Sequence, residues 1–84
     1  MRIALDYDGT YTKAPDFWDK FIRDCASHGH TIICVTMRYP TEPVQMICPV
    51  VYTSREAKAR HTMMNGIEFD IWIDDNPLWI YQNA

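Results

Sequence analysis

Apolar and polar positions divide this chain into short blocks that read as strands and helices in turn. Arg2–Leu5 (RIAL) is an apolar run of strand length stopped by Asp6, and Pro15 after Ala14 stands where a helix can begin without losing an N–H bond. Phe17, Trp18, Phe21, Ile22 and Cys25 then recur at helical spacing, with Gly29 as the stop. Thr31–Val35 (TIICV) is apolar and rich in β-branched residues, which predicts a strand covered on both faces and ending at Thr36. Pro40, Pro43 and Pro49 confine any helix after it to a short piece around Val44–Ile47. Val50–Tyr52 reads as a third strand. Thr53 opens T-S-R-E, a capping-box spelling that predicts a helix from there to about Asn65, before Gly66. Phe69–Ile73 (FDIWI) is a fourth strand, ending at Asp74 and Asp75.

This alternation predicts one α/β domain over residues 1–84, a small three-layer Rossmann-like unit with a mostly parallel sheet of about four strands and right-handed crossovers. Asp6, Thr36 and Asp74 each follow a strand directly. In open parallel sheets ligands bind beyond the carboxyl ends of the strands, so separate parts of the sequence converge on one edge. Asp6, Asp8 and Thr10 occupy alternate positions, and an extended chain throws alternate side chains to the same side. Carboxylates crowded there repel unless something positive lies between them. A metal ion, a cationic substrate or solvent would each relieve that repulsion.

Composition narrows the classes. A chain of 84 residues holds a single core, and 48% apolar residues with three Trp favour a packed globule over disorder. No apolar run approaches the roughly 20 residues of a membrane span, and the start lacks the apolar stretch of a secretory signal. A cytoplasmic protein without membrane association is the expectation. The net charge of −3 argues against broad nucleic-acid binding. Arg38, Arg55 and Lys58 nevertheless allow a local basic rim suited to an anionic substrate, with Tyr7, Tyr11 and Tyr39 as candidates for its mouth. Cys25, Cys34 and Cys48 lack metal-ligand spacing and read as buried free thiols. His28, His30 and His61 are scattered, and Met63, Met64 and Trp72 read as core.

With these residues in view the sequence resembles the haloacid dehalogenase superfamily of phosphotransferases. The family's first motif, D-x-D-x-T after strand one, stands here as D-Y-D-G-T at residues 6 to 10. Its second, a Ser or Thr ending an apolar strand, matches Thr36 in I-C-V-T-M-R. Its third, a Lys near a helix start, matches Lys58, with Arg55 or Arg60 as substitutes. Its fourth, an acidic pair after a strand, matches W-I-D-D at residues 72 to 75.

The resemblance implies a Mg²⁺-dependent phosphatase in which Asp6 attacks phosphorus to give an aspartyl-phosphate. Asp8 would act as general acid and then base, a residue that the family's dehalogenases lack and its transport ATPases replace. Mg²⁺ would sit on the Asp6 side chain, the Asp8 backbone carbonyl and Asp74, with Asp75 on the ion or one bond removed from it. Thr36 would bond a phosphate oxygen, Lys58 would neutralise charge in the transition state, and the N–H groups around Gly9 would complete the cradle with Thr10 and Arg38. Residue by residue, plainer roles stay open: Thr10 as a turn cap, Lys58 as a solvated helix lysine, Asp75 as a cap before Pro77.

Where the family often inserts a cap domain, the intervals from Thr10 to Thr36 and from Thr36 to Lys58 are too short, so a capless member is expected. It would admit a large phosphorylated substrate or borrow a lid from another subunit. The resemblance implies a further strand and helix after Asp75, and N-P-L-W-I-Y-Q-N-A at that place is not expected to form both. A bare sheet edge beside apolar Leu78, Trp79, Ile80 and Tyr81 would favour a homo-oligomer, unless the tail covers that edge itself. The phosphorylated substrate is open among nucleotides, sugar phosphates and nucleic-acid ends. Two other classes remain: a phosphate- or metal-binding module of the same fold without turnover, and a receiver-type signalling domain. The second needs D-D after strand one and an Asp after strand three, where this chain has Tyr52, Thr53 and Ser54.

Overall fold

The first apolar run becomes the middle of the sheet. In a computed structural model that describes residues Met1–Ala84, β1 (Arg2–Leu5), β2 (Thr31–Thr36), β3 (Val50–Tyr52) and β4 (Ile71–Ile73) form one sheet in spatial order β3-β2-β1-β4. Every pair is parallel, in a register that sets Leu5 beside Cys34 and Ile73. With neighbours on both edges and helices on both faces, Ile3, Ala4 and Leu5 are all but sealed from solvent. Full burial of a side chain the size of Ile3 or Leu5 contributes about 1.5–3 kcal/mol.

Between β1 and β2 runs α1 (Pro15–Ser27), preceded by a single 3₁₀ turn at Tyr11–Lys13. Proline at its first position agrees with the sequence reading, as does Gly29 at φ +81°. Its end is closed by the His30 N–H donating to the Cys25 carbonyl at 2.8 Å. Ile22 packs on Ile3, Leu5 and Ile32, with Trp18 and Phe21 beside them. The other face receives α2 (Lys58–Met64), whose Thr62 and Met63 border a groove with Trp72. A four-residue helix, α3 (Leu78–Tyr81), packs on α2 and buries Ile80. These are the three layers expected.

The step from β1 to β2 runs outward, whereas the step from β3 to β4 returns across β1. Right-handed crossovers in opposite directions place α1 and α2 on opposite faces. The strand order therefore reverses between β1 and β4, the point at which open α/β sheets form a crevice.

Several local expectations need correction. No helix forms at Val44–Ile47: residues 37–49 run as an irregular connection, with the Val44 N–H donating to the Tyr52 hydroxyl and Met46 and Cys48 packed against the core. The helix expected from Thr53 begins at Lys58. Ser54 and Arg55 adopt left-handed φ of 52° and 70°, and the Thr53 hydroxyl donates to the Glu56 carbonyl, so T-S-R-E forms a tight turn and not a capping box. N–H groups of Thr53, Ser54 and Arg55 donate to the carbonyls of Thr36, Arg38 and Met37, and this cross-strand bonding outweighs the local helical preference. β4 starts at Ile71 because the Asp70 carboxylate takes the Arg2 N–H, where a ladder bond would otherwise lie.

Phe17, Met63 and Met64 are exposed, against the expectation that the methionines belong to the core. A helix of seven residues turns only its Lys58 and Thr62 fully inward. Of the three free cysteines, Cys34 alone is fully buried, and burial pushes its thiol up to about 12.

No helix is long and apolar enough to cross a membrane.

Candidate active site

β1 delivers Asp6 to the sheet's carboxyl edge, β4 delivers Asp74 and Asp75, and the start of α2 delivers Lys58. Asp6, Asp74 and Asp75 each present an oxygen within 4.8 Å of the others. The Lys58 ammonium lies among them, donating to Asp6 Oδ1 at 2.7 Å and to Asp74 Oδ2 at 2.6 Å. Its side chain is 3% exposed, as deeply buried as the core aliphatics. A lysine ammonium is sealed in this way only when paired, and here two carboxylates share it.

Thr10 joins the acids. Its hydroxyl lies 3.0 Å from Asp6 Oδ2 and 3.3 Å from Asp75 Oδ1, and it accepts the Asp75 N–H at 3.1 Å. One hydroxyl proton serves one of the two carboxylates at a time. Thr10 therefore ties the loop after β1 to the loop after β4, a role beyond capping its own turn. Gly9 permits the approach: its φ is +83°, and a Cβ there would meet Asp75 Oδ2 at 2.5 Å. Asp74 is fixed on its other oxygen by the Asn76 N–H at 3.0 Å.

Burial raises the Asp6 carboxyl to about 6, against the lowering pull of Lys58, with the neighbouring Asp75 and Asp74 adding to the rise. Three carboxylates facing one ammonium leave a formal charge of −2 when all are ionised. An all-oxygen donor set with that residual charge fits a hard divalent cation, and the close carboxylates have no other positive neighbour to relieve them.

Asp8 stands apart from this cluster. Its side chain turns outward to Arg38, whose Nε donates to Oδ2 at 2.9 Å and whose Nη2 donates to Oδ1 at 2.8 Å. That fork holds the Asp8 carboxyl below the usual carboxylate range. Arg38 lies over the Tyr7 ring at 5.2 Å, and Tyr7 stacks on Tyr11 at 5.5 Å. Arg55 lies over Tyr39 at 5.4 Å and reaches Glu42 at 3.4 Å. Thr36 is buried at the end of β2, where its hydroxyl accepts the Arg38 N–H at 3.3 Å.

A cavity of about 450 Å³ opens over these groups, bordered by Asp6, Asp8, Thr36, Arg38, Arg55, Lys58, Asp74 and Asp75. Among the cations the sequence left open, Lys58 meets Asp6, Arg55 sits on the rim, and Arg60 lies away from the cavity in a groove between α2 and α3. Met37, Asn76, Trp79 and Ala84 complete the wall, none of them among the site residues that the sequence motifs mark. Met37 and Asn76 directly follow Thr36 and Asp75, whereas Trp79 and Ala84 reach the cavity only through the way the tail folds back, of which the sequence carries no local sign. Ala57 donates its N–H to the Asn83 side chain and Arg55 accepts the Ala84 N–H, which draws the tail to the site.

No family model matches the chain, and neither does any curated protein or solved structure.

Proposed function

We propose that the protein is a Mg²⁺-dependent phosphomonoester hydrolase working through an aspartyl-phosphate on Asp6. The observation that carries this reading is the convergence of Asp6, Asp74 and Asp75 at the floor of an open cavity, where one buried ammonium bonds Asp6 and Asp74. The order of D-Y-D-G-T, Thr36, Lys58 and W-I-D-D along the chain, resembling the haloacid dehalogenase superfamily, supports it. Mg²⁺ on Asp6, Asp74 and Asp75, with the Asp8 carbonyl as a further oxygen, would supply charge neutralisation between the nucleophile and a dianionic phosphate.

The chain's own residues divide the remaining work. In the first step an Asp6 oxygen forms a bond to phosphorus as the ester O–P bond breaks, and Asp8 gives its proton to the departing oxygen. In the second, Asp8 takes a proton from water, the water oxygen attacks phosphorus, and the Asp6 carboxylate leaves with release of phosphate. Lys58 holds Asp6 in position through a bond of 2.7 Å and balances charge on the phosphoryl oxygens. Thr10 bonds Asp6 Oδ2 and so holds its rotamer, and Thr36, on the cavity wall, would bond a phosphate oxygen.

One observation favours a second reading, a phosphate- or metal-binding module without turnover. Both Asp8 oxygens are engaged by Arg38, which holds Asp8 in the form that cannot donate a proton. Phosphate release from an aryl phosphate separates the two. Release that EDTA abolishes, that Asp6→Asn removes and that Asp8→Asn lowers about 10²–10⁴-fold is expected of the hydrolase. Magnesium binding without release would establish the module.

A further inference from the structure

The cavity holds more cations than the transferred group requires. A phosphoryl dianion would be served by Lys58 and by a divalent cation on Asp6, Asp74 and Asp75, all at the β1–β4 side. Two guanidinium groups remain on the opposite wall, brought by the segments after β2 and β3. Arg38 is pre-aimed: the Tyr7 ring supports its plane, and its fork already grips a carboxylate with both bonds under 3.0 Å. That carboxylate, Asp8, shows in place the ligand chemistry which the fork accepts. Arg55 is held toward the same cavity by a turn with two residues in left-handed backbone, at Ser54 and Arg55. Such backbone costs about 1–2 kcal/mol per residue and persists because three N–H bonds pin the turn to residues 36–38. The Arg55 guanidinium donates from Nη1 to the Met37 carbonyl at 3.3 Å, which aims it, and from Nη2 to exposed Glu42 at 3.4 Å, a contact that solvent weakens.

We propose that the site selects phosphomonoesters carrying a second anionic group close to the ester, a carboxylate or a further phosphate, and that Arg38 with Arg55 binds that group. The second anion replaces the Asp8 carboxylate in the Arg38 fork and draws Arg55 off Glu42. The inference rests on the phosphatase reading for the fate of the first anion only.

Two measurements test it independently of each other's failure. Binding of phosphonoacetate and of methylphosphonate, neither hydrolysable, is compared by calorimetry in the presence of Mg²⁺ for the wild type, Arg38→Gln and Arg55→Gln. The bifunctional anion is expected to bind at least about tenfold tighter to the wild type, and most of that margin to vanish in Arg38→Gln. Turnover of 3-carboxy-4-nitrophenyl phosphate and 4-nitrophenyl phosphate is then compared as a ratio of kcat/KM. Taking the ratio cancels differences in folded fraction between variants. It is expected to fall several-fold in Arg38→Gln and less in Arg55→Gln. A binding margin without turnover of either ester sinks the phosphatase reading and keeps this one. Equal binding of the two phosphonates, no binding of either, or a margin unchanged in Arg38→Gln overturns the second-anion site, whatever is hydrolysed.

Discussion

The two sides of the cavity solve the same electrostatic problem in opposite ways. On the β1–β4 side, Lys58 is 3% exposed and shared between Asp6 and Asp74 at 2.7 and 2.6 Å. On the β2–β3 side, Arg38 and Asp8 meet at 2.8 Å with side chains 32% and 57% exposed. The distances are nearly alike, yet the surroundings are not. Water screens the second pair and competes for both its partners, so it contributes about 0–1 kcal/mol and opens readily. The first pair is removed from water, and breaking it leaves uncompensated charge indoors. The floor of the site is therefore fixed and its rim is exchangeable, a division suited to holding reacting atoms still while admitting varied ligands.

Removing Lys58 should produce the largest effect. Lys58→Met leaves Asp6 and Asp74 facing each other without a cation, and about 3–5 kcal/mol of stability should be lost in urea unfolding at pH 7. That is a large fraction of what a domain of 84 residues commonly has, about 4–13 kcal/mol. Lys58→Arg keeps the charge and should recover much of the loss. An equal loss in both variants would show that packing, not charge, is what Lys58 supplies.

A divalent cation should act next in size. At a hundredfold excess over its Kd, Mg²⁺ bound only to the folded state adds about 2.7 kcal/mol, which raises Tm by about 10 °C or more in so small a domain. The metal-free protein carries a matching signature in pH. Asp6 is raised from 3.8 to about 6 in the folded chain, so between those values the folded state binds the proton more tightly than the unfolded state. Its contribution to stability thus falls as pH rises from about 4 to about 6 and is level above. The difference in stability between the wild type and Asp6→Asn in EDTA isolates it; a difference that does not change across that window contradicts the burial of Asp6 beside Asp75 and Asp74.

Gly9→Ala comes third. The left-handed φ of +83° and a Cβ at 2.5 Å from Asp75 Oδ2 should together cost about 1–2 kcal/mol and displace Asp75, weakening the Mg²⁺-dependent rise in Tm. Loss of stability with an unchanged magnesium response would place Asp75 outside the cation site.

How much of this was legible beforehand follows from the range of the forces involved. β1, β3 and α1 start where their sequences say, because an apolar run and a proline at the first helical position act through near neighbours. The same locality marked Asp6 and Asp74 as lying after strands, while Thr36, expected just beyond β2, is its last residue. The T-S-R-E segment misleads for the converse reason: its spelling favours a cap, but carbonyls of Thr36, Met37 and Arg38, distant in sequence, take its N–H groups. The Arg38–Asp8 fork spans thirty positions, and nothing near either residue announces it. Alternation in D-Y-D-G-T predicts Asp6 and Asp8 on the same side of an extended chain, whereas the chain turns at residues 7–10 and sends one carboxylate inward to Lys58 and the other outward to Arg38.

The smallest expected stability change belongs to that outward pair, and it sharpens the contrast most. Asp8→Asn removes an ion pair that solvent already screens, so urea unfolding at pH 7 should shift by no more than about 1 kcal/mol. The Asp8 carboxyl lies below its usual range in the folded chain because Arg38 bonds it. What stability it contributes is present above about pH 4 and is lost as pH falls through its lowered folded value, the reverse of Asp6. Asp8→Asn should therefore narrow the gap to the wild type in acid, where Asp6→Asn changes it in the opposite sense. If Asp8→Asn instead costs as much as Lys58→Met, the rim is as rigid as the floor, and a ligand could not take Arg38 from Asp8 without unfolding the wall that holds it.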